Sequence, residues 1–165
     1  MSAIDPTVAG ELKTALASGP TAMFATLSKL FTSVPGVRTA TFIAVAPDKT
    51  VTHRIGTSNP AHFPVGNVDP VTDSLWNRRM LLAQQPLVGD DTPGMTAFLG
   101  DEAKGLVTMG YGACSCFPIV IAGETRGVVA LLGDAGIFVR ATLEAIDSLL
   151  PIAALTFTFH GVSER

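Results

Sequence analysis

The polar and apolar positions open on a helical period. Asp5-Pro6 reads as a helix start, with Asp as N-cap and Pro at the first helical position. Val8, Leu12 and Leu16 then fall four residues apart on one stripe. Gly19-Pro20 ends this helix. Thr21 is placed to cap a second one, in which Met23, Phe24, Leu27, Leu30 and Phe31 form a broad apolar face. After the Pro35-Gly36 turn the pattern changes to that of strands. Val37 to Ala46 is rich in β-branched residues, Pro47-Asp48-Lys49 turns the chain, and Thr50 to Ser58 runs back. Strict alternation puts Val51, His53, Ile55 and Thr57 on one face, and Thr52, Arg54, Gly56 and Ser58 on the other.

The segment from Asn59 to Asp69 is irregular and proline-bearing, the kind of long loop that carries function in a compact domain. A helix is predicted from Pro70 to about Gln84, with Val71, Leu75, Trp76, Met80 and Leu81 as its apolar residues. Pro86 to Gly89 reads as a short strand. Thr92-Pro93-Gly94 opens a helical stretch through Met95, Phe98 and Leu99 that runs, with breaks, to Met109. Ala113 to Asp134 is the most strongly patterned region. Phe117, Ile119 and Ile121 share one face of its first strand, and Cys114, Cys116, Pro118 and Val120 the other. Gly123 can supply the positive φ of a tight turn. Gly127 to Leu132 is apolar on both faces, which predicts a central strand covered on both sides. A last helix begins near Ile137 and carries Val139, Leu143, Ile146, Leu149 and Leu150, with a kink expected at Pro151 before Leu155 and Phe157.

These elements predict an α+β fold, an α/β sandwich with a central, mostly antiparallel sheet and helices on both faces. The length of 165 residues fits a single domain over 1–165. Apolar residues at 47% against 15% charged argue for a well-covered core rather than disorder. With a net charge of −3 and no basic cluster beyond Arg78-Arg79, neither nucleic acid nor an anionic membrane is an expected partner. The apolar region from Leu149 to Phe159 is interrupted by Pro151 and reads as too short to span a bilayer. No signal-peptide pattern is present at the N-terminus, and two cysteines in C-x-C spacing suit no ordinary disulfide, so the chain reads as cytoplasmic and reduced.

The order of elements, Pro35-Gly36-Val37 at the entry to the first strand, and the unit running from Leu99-Gly100-Asp101 through Leu132 resemble a GAF domain over roughly 20–158, with 1–19 as an added N-terminal helix. Pro118 within the first hairpin strand and Gly127 opening the second are marks of that family, and Arg54 to Gly66 is similar to a bacterial subgroup of stand-alone GAF proteins. The resemblance implies a small-molecule-binding sensor or regulatory domain, with a pocket between the sheet and the 59–84 segment and a homodimer through the terminal helices. It implies no cofactor. The Asn-Lys-Phe-Asp-Glu motif of cyclic-nucleotide-binding members is absent, and Cys114 and Cys116 sit on a strand rather than in the helical region expected of a bilin attachment site.

The ligand-binding candidates are Arg54, Ser58, His62, Phe63, Trp76, Tyr111 and Cys116. Arg54 offers a guanidinium fork matched to carboxylate or phosphate, with Ser58 on its face; His62 and Phe63 lie on the loop that would cover the pocket; Trp76 and Tyr111 are the only Trp and Tyr. Each also has a plain reading: Arg54 as a solvated strand residue, His62 as an exposed loop residue, Trp76 as core, and both cysteines as small buried strand residues. Two rival functions stay open. One is a small enzyme using the same pocket, for example a thiol-dependent reductase with Cys114 and Cys116, as in the free methionine-(R)-sulfoxide reductases that the chain weakly resembles. The other is an interaction subunit without a ligand. A zinc site from Cys114, Cys116 and His53 lacks the usual C-x₂₋₄-C spacing, so no metal is expected.

Overall fold

A computed structural model describes residues 4–163; positions 1–3 and 164–165 of the expected 1–165 domain lie outside them. Helix α1 (Pro6–Ser18) starts as the sequence dictates: the Asp5 carboxylate accepts from the Thr7 and Val8 amides, and Pro6 takes the first turn. Helix α2 (Pro20–Thr32) follows directly. Its N-cap is Gly19, at φ 116°, not Thr21, which lies inside the helix. Gly19 closes α1 and opens α2 in one residue, a role that its positive φ makes possible.

Strands β1 (Val37–Val45), β2 (Val51–Thr57), β3 (Val68–Pro70), β4 (Leu87–Gly89), β5 (Ala113–Ile121) and β6 (Glu124–Gly133) form one antiparallel sheet in the order β3-β2-β1-β6-β5-β4. The strand that reads as apolar on both faces, β6, is central as expected. Its hairpin with β5 turns on Ala122 and Gly123, both at positive φ (51° and 80°), which matches the right-handed twist of the strands. The fold is therefore α+β, with helices on both faces of the sheet.

One face packs α2 and α6 (Arg140–Ser163) over Ala40 and Phe42 of β1, Phe117 and Ile119 of β5, and Val129 and Leu131 of β6. Phe31, Phe42, Leu27 and Ile146 are fully buried there, each worth about 1.5–3 kcal/mol in apolar burial. Gly127 fits because the Phe157 ring of α6 lies where a Cβ would be. Helix α1 packs Leu12 and Ala15 onto Met23 of α2, with Ile152 and Phe159 of α6 alongside. The apolar stripes of the terminal helices thus serve mainly the core of this one chain. Helix α6 starts at Arg140 rather than Ile137 and continues through Pro151 to Ser163. Its Arg140–Gly161 stretch of 22 residues holds an 18-residue window of mean hydropathy 1.3, by length and composition alone enough to cross a membrane, as the core helix of a folded domain also can be. Its buried residues Ile146, Ala153 and Phe157 lie in the core cluster against the sheet.

The other face is covered by a short helix α3 (Leu75–Asn77), a π-helical turn (Arg78–Ala83), α4 (Thr92–Leu99) and α5 (Glu102–Thr108). Pro70 ends strand β3 on the sheet edge instead of opening a helix, and the helix starts at Leu75, capped by the Ser74 hydroxyl, which accepts from the Asn77 amide. The widened π turn leaves the Met80 carbonyl to accept from the buried Thr125 hydroxyl at 2.7 Å, and Gln84 closes it in the left-handed region.

Candidate functional site

Between this second layer and the sheet lies a cavity of about 610 Å³. Its floor is a row of buried and half-buried sheet side chains: Thr41 and Ile43 of β1, Ala130 and Leu132 of β6, Cys114 and Cys116 of β5, and Thr52 and Arg54 of β2. Alternation on four adjacent strands brings them together. The walls are Trp76 and Asn77, then Phe98, Leu99, Glu102 and Leu106 from α4 and α5; Phe63, Asp69, Pro70, Thr72 and Ser74 close the side. The cavity thus lies between the sheet and a layer made of part of the 59–84 segment together with α4 and α5.

Four of the seven predicted ligand contacts line this space: Arg54, Phe63, Trp76 and Cys116. Three do not. Ser58 turns back to the sheet, accepting from the Ala40 amide at 2.9 Å. His62 is exposed, with its Nδ1 3.3 Å from Asn59 Oδ1. Tyr111 is buried beside the cavity, its hydroxyl 2.6 Å from Thr39 Oγ1 and accepting from Asn59 Nδ2, with the Arg38 guanidinium 5.0 Å above its ring. Ser58 leaves the Arg54 face because β2 carries a register shift: Ile43 pairs with Arg54 but Phe42 with Gly56, so Ile55 is an extra residue. Beyond this bulge the faces exchange, and Gly56 points at Phe24 and Phe42 of the opposite layer.

Arg54 is half-buried and carries the cavity's positive charge. Its guanidinium carbon lies 5.6 Å over the Phe63 ring, and its Nη1 makes one long bond, 3.4 Å, to the Pro64 carbonyl. Its Nε is buried with no hydrogen-bond partner. Among the described residues no carboxylate pairs with it, whereas Arg38, Arg78, Arg126 and Arg140 each have one. The chain holds it in place by backbone: the Arg54 amide donates to Asn67 O and its carbonyl accepts from Gly66, folding the 59–67 loop over β2.

The two cysteines are buried neighbours on one face of β5. Cys116 Sγ accepts from Trp76 Nε1 at 3.3 Å. A hydrogen bond from Cys114 and the one from Trp76 hold the Cys116 thiol below the ordinary thiol range against the opposing effect of burial. Cys114, which donates to Cys116 and is itself desolvated, is pushed well above it. His53 lies on the opposite side of β2, in a second depression with His160, so it cannot join the cysteines. Among the described residues no group of three or more His, Cys, Asp or Glu side chains is placed to hold a metal.

The sequence missed Thr41, Thr52, Asp69, Thr72, Ser74, Asn77 and Glu102 in the cavity lining. A signal existed for the first two, which alternate with core residues on adjacent strands. The others depend on where β3, α3 and α5 begin.

No protein-family model matches the chain. No curated protein sequence matches it either. Solved structures do. The GAF domain of a two-component sensor histidine kinase from Bacillus halodurans superposes with a TM-score of 0.69 at 14% identity, covering 87% of this chain and 96% of that one. The GAF domain of an Acinetobacter phosphoenolpyruvate-protein phosphotransferase gives 0.68 at 10% identity, covering 98% and 100%. The phycocyanobilin-bound GAF domain of a cyanobacterial phytochrome gives 0.67 at 15% identity, covering 94% of each. The chain has the GAF fold.

Proposed function

We infer that this domain is a small-molecule sensor or regulatory module whose ligand is a partly apolar organic anion held in the cavity beneath α3, α4 and α5. The observation that carries this reading is Arg54, a half-buried guanidinium on the cavity floor with no carboxylate partner among the described residues. A carboxylate or phosphate on the ligand supplies the missing acceptors, in the planar geometry that a guanidinium matches best. The volume is in the range of pockets that enclose small molecules, and Trp76, Phe98, Leu106 and Leu132 supply apolar walls for the remainder. The fold supports the sensor reading: among its structural neighbours one belongs to a sensor histidine kinase and another holds phycocyanobilin. A homodimer through the terminal helices is part of the proposal, with exposed Leu16 and Leu155 as its contacts.

The test is a thermal-unfolding screen of aromatic and aliphatic carboxylates and phosphates against the purified chain and Arg54→Ala. A stabilising compound that loses its effect in Arg54→Ala supports the reading. Equal stabilisation of both proteins overturns the role of Arg54.

A further inference from the structure

Cys114 and Cys116 are not needed to recognise an anion, yet they present two thiols side by side at one end of the same cavity. Arg54 lies three strands away, on β2, with β1 and β6 between, about 14 Å across the sheet at 4.7–4.9 Å per strand. The thiols therefore form a separate subsite.

Their chemistry is narrowed by geometry. Two residues along a strand rise roughly 6.6–6.8 Å, at the outer edge of the Cα separation that a disulfide spans. Strand β5 is paired on both sides at these positions, Cys114 with Leu132 and Gly89, Cys116 with Ala130 and Leu87. The backbone is thus not free to shorten that spacing. A four-coordinate zinc site lacks its other ligands among the described residues. What the pair suits is a soft centre that is satisfied by two sulfurs and bridges a wider gap than a sulfur–sulfur bond does. The neighbouring groups are apolar or aromatic, Trp76, Leu106 and Leu132 among them, so the centre enters best on a small apolar carrier.

We propose that Cys114 and Cys116 form a dithiol site for a thiophilic organic species, of the class of monosubstituted trivalent arsenicals. In the binding step both S–H bonds and the arsenic–oxygen double bond of the oxide are lost, two arsenic–sulfur bonds form, and the two protons leave with the oxygen as one water. No oxidant or reductant takes part, since arsenic stays trivalent and both sulfurs stay thiolate-level. Trp76, whose indole N–H already bonds Cys116 Sγ, reports the event, because it is the only Trp.

The experiment titrates phenylarsine oxide into the reduced wild-type chain, Cys114→Ser, Cys116→Ser and Arg54→Ala. Intact mass and Trp fluorescence are read in the presence of excess monothiol. The expected result is a one-to-one adduct with a fluorescence change in wild type and Arg54→Ala, displaced by a dithiol but not by the monothiol. Each serine variant should lose retention by about a hundredfold, the loss of the second, intramolecular bond. Retention unchanged in either serine variant would overturn the proposal. So would an adduct that forms only after unfolding, which would show the thiols closed to the cavity. Loss of anion stabilisation in Arg54→Ala with arsenical binding intact separates the two subsites. Failure of the anion reading alone would leave the dithiol result standing.

Discussion

Arg54 and Cys116 show how much a side chain's chemistry depends on its immediate partners. Four other arginines here are tied to carboxylates on the surface, where such pairs contribute about 0–1 kcal/mol. Arg54 instead rests on Phe63, with one long bond to the Pro64 carbonyl and its Nε buried and unbonded, so an acceptor at Nε would offset a desolvation that nothing else there does. Cys116 differs from Cys114 for a similarly local reason: it accepts two hydrogen bonds, and Cys114 supplies one of them. The pair therefore gives up its first proton below the ordinary thiol value of 9.0 and its second well above it. Limited alkylation with iodoacetamide below that value should label one thiol per chain, mapped to Cys116. Replacing Trp76 with Phe removes one donor and should slow that labelling at fixed pH. Equal labelling of both cysteines would contradict this account.

At the scale of elements, what the sequence disclosed and what it hid have separate causes. Asp5-Pro6, the β5–β6 hairpin and the two-sided burial of β6 were legible because their signals are local: a cap, a turn glycine, a run of apolar residues. The β2 bulge was not, because Ile55 is an ordinary strand residue whose extra place arises only from pairing with β1. That one residue removes Ser58 from the predicted site. Pro70 is ambiguous for a related reason. It is compatible with a helix start, but also with an edge strand, where its missing N–H costs nothing. The π turn is equally non-local, since the Thr125 hydroxyl that bonds Met80 O comes from β6. Thr125→Val should leave this carbonyl unpaired and cost about 1–3 kcal/mol. Gly127→Ala should cost a similar ~1–3 kcal/mol by forcing the Phe157 ring aside. Denaturant unfolding of both variants checks these values; a change within error in either would show that α6 or the π turn is not held as described.

For the whole molecule, the sheet divides the work. One face, under α2 and α6, is a filled core of Phe, Leu and Ile side chains. The other, under α3, the π turn, α4 and α5, is left partly open and carries the polar and sulfur groups. On the proposed function, stability and binding fall to opposite sides, and a ligand in the cavity would bridge the sheet to the thin layer above it. By linkage, a ligand at a hundredfold excess over Kd adds about 2.7 kcal/mol, which at about 2–4 °C per kcal/mol raises Tm by roughly 5–10 °C. The most direct test is therefore the Tm of wild type against Arg54→Ala across a panel of small carboxylates and phosphates. The account predicts at least one compound that raises wild-type Tm by several degrees and leaves the variant unmoved. A panel that stabilises both proteins alike, or neither, would contradict the claim that this cavity receives an organic anion on Arg54.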